Sequence, residues 1–348
     1  GVAPGVQIFS YDSNATGSSL WGVKTGDLES GWKIASKTAK NTRVGLMNIS
    51  LGQSIVKDEE CKFRSQYGNY TQTSSQLDKF VKGFTDSSGK YPQIIITKSA
   101  GNEGLGGCIG GKDYDDPFGT IASPASAKNP IVVGSIDSDL YQENRPDVIS
   151  FFSSVGPTDD GRIKPDLVAP GAHESINDYP YPQANGIESI DSSRSTDGVN
   201  VYTPMSGTSF SAPLVGGIIA LMEEKWENKF STINNPTHLE PHTAKAILIH
   251  TAEDLGNLGP DYKYGWGLVN GEKAIKLISD SVFLDATVNS ISNLNHSNTI
   301  IQDSFFQGDT PKKYNLVLSN PNNLKLTLVW DDPPSSPAVE IKKLRNNL

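Results

Sequence analysis

Residues 207–222 constrain this chain more than any other stretch. Gly207-Thr208-Ser209-Phe210-Ser211-Ala212-Pro213 runs directly into Leu214-Val215-Gly216-Gly217-Ile218-Ile219-Ala220-Leu221-Met222. A run this apolar belongs to a helix buried in a sizeable core, and it is too short for the roughly 20 residues of a membrane span. The glycine-led turn places a serine at the mouth of that helix, where peptide N–H groups are unpaired and carry partial positive charge. An anion developing beside Ser209 is stabilised there, as a nucleophilic serine attacking a carbonyl requires. The simpler alternative is that Thr208 or Ser209 only caps the helix.

A second element lies upstream. The β-branched run Ile94-Ile95-Ile96-Thr97 reads as a buried strand and leads into Lys98-Ser99-Ala100-Gly101-Asn102-Glu103-Gly104. A side-chain amide delivered by a strand end, among glycines that admit a substrate closely, can donate to a tetrahedral oxyanion. Asn102 alone could equally be a turn residue with a left-handed backbone. Before it, Leu46-Met47-Asn48-Ile49-Ser50-Leu51-Gly52 is another strand, whose glycine-ended edge suits backbone pairing with an extended peptide.

Strands are also expected at 6–11, 44–51, 131–136 and 148–152, and helices over 25–40 and 74–85, where Leu77, Phe80, Val81 and Phe84 share a face. Strands alternating with helices imply an α/β fold with a mostly parallel sheet, helices on both faces and sites at the carboxyl ends of strands. Ser50, Asn102 and Ser209 all fall at such ends or in the turn after one. From about residue 282 Val, Ile, Thr, Asn and Ser dominate and Tyr314-Asn315-Leu316-Val317-Leu318 alternates, which predicts the start of an antiparallel β-domain. The expected division is 1–280 and 281–348.

These motifs carry a resemblance. The chain is similar to the subtilisin-like serine proteases (subtilases, peptidase family S8), in blocks that keep the family's order. Gly1-Val2-Ala3-Pro4 resembles the segment after the family's histidine helix. Asn48-Ile49-Ser50-Leu51-Gly52 resembles the substrate-binding strand and Ala100-Gly101-Asn102-Glu103-Gly104 the oxyanion-hole motif. Pro130-Ile131-Val132-Val133-Gly134-Ser135, Ile149 to Pro157 and Lys164-Pro165-Asp166-Leu167-Val168-Ala169-Pro170-Gly171 resemble further core elements. Asp261 to Asn270 and Lys325 to Pro334 resemble a bacterial secreted branch with a C-terminal, jelly-roll-like β-sandwich.

The resemblance implies a three-layer subtilisin-like fold and a serine endopeptidase acting on polypeptides through an acyl-enzyme on Ser209. Asn102 then serves the oxyanion, and Ser50, Leu51, Gly52, Ser99, Ala100, Gly101 and Thr208 line the cleft. It also implies a secreted or cell-surface setting, in which Cys61 and Cys108, each just beyond a cleft motif, are candidates for a disulfide, the alternative being two unpaired thiols. A sedolisin-type acid protease is disfavoured, since that family has Asp where this chain has Asn102.

A serine nucleophile of this kind needs a histidine and an orienting aspartate. The family's motifs for both are absent. His173, His238, His242, His250 and His296 all read as structural or surface residues, and no strand leads into Asp-Thr/Ser-Gly. We therefore read the sequence as a window on a longer protease, inactive alone; the alternative is a non-catalytic pseudoprotease or adhesion module on the same fold. The chain has 348 residues and a net charge of −9 without a basic run, which argues against nucleic-acid binding. A monomer without a membrane span is expected. The chemistry needs no cofactor or catalytic metal. Asp191, Asp197 and Glu188, in an Asp/Ser-rich insertion, suit structural calcium, although a solvated loop explains them as well.

Overall fold

The computed structural model describes residues 2–8, 29–31, 33, 45–52, 66–87, 89–104, 118–137, 148–172, 186–190, 202–232, 237–285, 298–306, 308–315, 324–338 and 342–346. Its centre is a five-stranded sheet. β1 (Leu46–Ile49) lies beside β4 (Ile95–Ser99), β4 beside β5 (Ile131–Asp137), and β5 beside both β6 (Val148–Ile149) and β7 (Leu167–Ala172). The β1–β4, β4–β5 and β5–β7 pairs are parallel, and only the short β6 runs antiparallel to β5. Parallel strands need faces covered on both sides, which explains why β4 and β5 are buried almost throughout.

One cover is α1 (Gln72–Lys82), opened by a capping box in which Thr71 accepts from the Ser74 N–H. Leu77, Phe80 and Val81 pack against Ile49, Ile94 and Ile96 on that face. Leu77→Ala there would cost about 2–5 kcal/mol. The helix ends at Gly83, with φ of 72°, and a Cβ there would come within 2.8 Å of the Gln93 nitrogen. The expected extension to residue 85 fails for that reason. Phe84 instead opens the hairpin of β2 (Phe84–Asp86) and β3 (Gly89–Tyr91).

The other cover is α2 (Thr208–Phe230), 23 residues long and crossed by the long apolar run. Ala212, Val215, Ile219, Met222 and Trp226 pack with Ile95, Val133 and Leu167 of the sheet, and with α3 (Pro241–Thr251) and α4 (Gly271–Asp280). Gly216 lets the helix settle on the sheet, since a Cβ there would already touch Leu46 and Thr97 at 3.4 Å. The result is three layers, with α1 on one face and α2, α3 and α4 on the other. β8 (Ile187–Ile190) and β9 (Tyr202–Met205) form a separate hairpin before α2. Ser209 thus follows a strand of that hairpin and not one of the central sheet.

After residue 281 the described strands are β10 (Val282–Asp285) and β11 (Thr299–Gln302). They pair in parallel, in contrast to the antiparallel arrangement the alternation suggests. The connection between them has the dozen or so residues that a parallel crossover requires. Phe283 and Ile300 pack on the main core, and the Phe283 ring lies 4.8 Å from that of Trp226. Further on, Asp332 is buried against the body. It accepts from Lys128 Nζ at 2.5 Å and from the Arg345 and Asn346 N–H groups, while its own N–H donates to Asn129. Of the expected elements, 9–11 and most of the 25–40 helix lie outside the described residues.

Candidate active site

The first turn of α2 shows that neither Thr208 nor Ser209 caps the helix. The N-cap is Gly207, with φ of 152°, and no side chain caps the helix. Thr208 and Ser209 point their hydroxyls elsewhere. Thr208 donates its N–H and its hydroxyl to Asn102 Oδ1, at 3.0 and 2.9 Å, and its oxygen accepts from Gly101 N–H at 3.2 Å. Two donors on one oxygen fix which way the Asn102 amide faces. The Asn102 Nδ2 is thereby left as the outward donor, beside Gly207, where a Cβ would stand 3.3 Å from it.

Ser209 faces Ser50, the residue after β1. Its hydroxyl donates to the Ser50 carbonyl at 3.2 Å, and the Ser50 hydroxyl donates to the Ser209 carbonyl at 3.0 Å. Pro213 explains the second bond. Within α2 the Ser209 carbonyl should accept from the N–H four residues on, and proline has none. The Ser50 hydroxyl fills that place. It is steadied in turn by Asn48 Nδ2 at 3.0 Å, and Asn48 Oδ1 accepts from Thr97.

Thr208 N–H is taken by Asn102 and Phe210 N–H by the Gly207 carbonyl, so Ser209 N–H is the donor of this turn without an acceptor among the described residues. Two amide donors, from Asn102 and Ser209, flank the serine hydroxyl. Such a pair can stabilise a developing oxyanion. Ser154 supports the Asn102 loop: its hydroxyl accepts from Glu103 N–H, and its N–H donates to the Gly101 carbonyl. Gly101, with φ of 113°, has no room for a side chain beside that hydroxyl, which a Cβ would meet at 2.8 Å.

The structure thus brings Ser50, Ser99, Gly101, Asn102, Thr208 and Ser209 to one end of the sheet. Leu51 is exposed, and Ala100 is buried, donating its N–H to the Val133 carbonyl. Sequence reasoning passed over Thr97, Ser154 and Pro213; the proline was visible inside an otherwise helical run. Cys61, Cys108, His173, His296, Asp191 and Asp197 lie outside the described residues, as does the Glu188 side chain.

The remaining histidines are engaged elsewhere. His242 Nδ1 lies 2.9 Å from Asp331 Oδ2, and His250 Nδ1 lies 3.0 Å from Thr327 Oγ1. His238 meets both Glu223 and Glu227, and these three bring ligand atoms within 4.8 Å of one another. Its imidazole Nδ1 already bonds both carboxylates.

The family model described as "Subtilase family" matches residues 1–267. The chain belongs to the subtilase family. Its mostly parallel sheet between helical layers is the subtilisin-like fold expected from the motifs. Among curated relatives it is 30% identical to Serine protease AprX of Bacillus subtilis over 55% of this chain and 39% of that one. It is 34% identical to the C5a peptidase of Streptococcus pyogenes over 36% of this chain and 9% of that one. The matched part thus spans well under half of these relatives. Solved structures similar to it include the patellamide maturation protease PatA, at 18% identity and a TM-score of 0.47, covering 74% of this chain and 70% of that one. Among the described residues, no helix of this subtilase is long and apolar enough to cross a membrane.

Proposed function

We propose that this subtilase is the nucleophile-bearing part of a serine endopeptidase. Ser209 attacks the scissile carbonyl and forms an acyl-enzyme, while Asn102 Nδ2 and the Ser209 N–H hold the oxyanion. The observation that carries this reading is the double acceptance by Asn102 Oδ1, which turns the amide donor outward beside the serine. Residues 50–52 and 99–101 form the two walls along which an extended polypeptide lies. The bond from Ser209 to the Ser50 carbonyl is the one a general base must displace before attack. The family's motifs for that base and its aspartate are absent from the sequence, and none of the described histidines bonds Ser209, so on this reading the chain alone is inactive. An extracellular setting, with Cys61 and Cys108 bridged, follows the family's habit, and thiol titration of the unfolded, non-reduced protein tests it.

The test has two arms. A fluorophosphonate probe should leave Ser209 of the 348-residue chain unlabelled, and stoichiometric labelling would contradict its inactivity. In a longer form that cleaves peptides, Asn102→Ala should lower kcat by about 10²–10³ with KM little changed. A change confined to KM would mean that Asn102 holds ground-state substrate. A chain that binds peptides but never acquires turnover in any longer form would favour the pseudoprotease alternative.

A further inference from the structure

Lys98 is the fourth residue of β4, and alternation puts it on the α1 face with Ile94 and Ile96. It is 2% exposed. Its side chain turns back around the end of the strand, so that Nζ donates to the Ser99 carbonyl at 2.5 Å and to Ser99 Oγ at 2.8 Å. Ser99 belongs to one wall of the cleft. Gly52 belongs to the other, and the point where a Cβ at Gly52 would sit lies 3.7 Å from Lys98 Nζ and 3.6 Å from the Ser123 carbonyl. The amine therefore lies between a residue of each wall, Ser99 and Gly52.

An ammonium has three N–H donors, and two of those of Lys98 have acceptors among the described residues. Among the described residues, the neighbouring elements supply no countercharge there. β1 carries no ionisable side chain. On α1, Asp78 is bonded to Tyr70 and to the Lys128 and Asn129 N–H groups. Lys128, on the connection from 118 to 130, is paired with Asp332. Burial alone pushes the Lys98 amine down to about 7. A buried cation without a carboxylate is costly, and a carboxylate that enters beside it relieves that cost.

We propose that Lys98 makes this cleft selective for an acidic side chain, glutamate or aspartate, at the substrate position just before the scissile bond. The inference rests on the cleft assignment above and adds the substrate class. With glycine at position 52, no side chain of that wall stands between an entering carboxylate and the amine. Ser99 Oγ holds the amine in place. Lys98 is a specificity residue and takes no part in proton transfer to the leaving group.

The test uses the full chain carrying Ser209→Ala, which prevents turnover, and four peptide amides identical except for Glu, Gln, Leu or Lys at the last position. Binding is read by calorimetry at pH 6 and pH 9. At pH 6 the Glu peptide should bind about tenfold to a hundredfold more tightly than the Gln peptide, the range expected of a buried charge-assisted bond. The preference should shrink at pH 9, where the free amine is neutral. Lys98→Met should abolish it without weakening the Leu peptide.

Equal binding of the Glu, Gln and Leu peptides would overturn the role of Lys98 and leave the cleft standing. Failure of all four peptides to bind would overturn the cleft assignment, and the proposal with it. Should Lys98→Met fail to fold, the Glu-to-Gln ratio of the unsubstituted pocket and its pH dependence still decide. A ratio that is flat between the two pH values excludes the lysine.

Discussion

Two buried regions of this molecule handle lysine in opposite ways. Under the sheet, Lys164 and Lys245 converge on Asp166, at 2.6 Å and 2.8 Å from its two oxygens, and Val132 N–H adds a third bond. Burial works to raise the Asp166 carboxyl, but the two lysines prevail and hold it below the usual carboxylate range, while burial still pushes Lys164 itself down to about 7, as it does Lys98. At the end of β4, Lys98 is buried as deeply and has only Ser99 as a partner among the described residues. The Asp166 cluster pairs its charges internally, whereas Lys98 has no countercharge among the described residues. A buried ion pair replaced as a unit by apolar residues is often neutral, so the Asp166 cluster is a device of specificity as much as of stability.

Three substitutions bear on that contrast. The largest effect is expected from Asp166→Asn, which strands two buried lysines and should destabilise the chain by about 3–5 kcal/mol in urea unfolding. A loss below 1 kcal/mol would show the cluster to be hydrated, and would erase the difference between the two regions. Lys98→Met comes next, and its sign depends on pH. An unfolded lysine keeps its proton to about 10.4, whereas the folded Lys98 releases it near 7. Between those values the unfolded state binds more protons, so the native chain gains about 1.4 kcal/mol per pH unit from this residue. Lys98→Met should lack that slope when both proteins are unfolded at pH 7 and pH 9. Equal slopes would show that the folded lysine stays charged.

The smallest effect belongs to His242 and Asp331. Burial lowers the imidazole, but the bond and charge of Asp331 prevail and raise it overall. Its contribution is complete below the unfolded value of about 6.5 and is lost as pH rises through the folded one. His242→Asn should cost about 0.5–1 kcal/mol at pH 5.5 and less at pH 9. Identical losses at both pH values would mean that the histidine acts by packing alone.

The contrast also marks what the sequence could disclose. Residues 48–52, 99–104 and 207–213 stood out because glycines and small polar residues interrupt apolar runs, and folding brings those interruptions to one end of the sheet. Lys98 did not stand out. A lysine after Ile94-Ile95-Ile96-Thr97 reads as the point where a strand meets solvent, and only the turn of its side chain around Ser99 shows otherwise. Asp331-Asp332-Pro333-Pro334 was legible as a motif and silent about its use, because its partners Lys128 and Asn129 are some two hundred residues away. The parallel pairing of β10 and β11 was hidden for a different reason. Alternation reports which residues are half-buried, and says nothing about which neighbour runs in which direction.

One feature at the far end of α2 bears on the serine at its near end. Lys229, in the last turn, donates to the carbonyls of Ile278 and Ser281 at 2.9 and 2.7 Å, and also to Ser279. Those are the carbonyls that α4 leaves open at its own end. Trp226 and Phe230 then close against Phe283 of β10. The helix that presents Ser209 is a beam with two bearings, one at Asn102 and Ser50, the other at residues 278–283. The change in composition near residue 281 invites a cut, but a chain ended there would lose the second bearing and leave the helix that carries Ser209 cantilevered from its first turn.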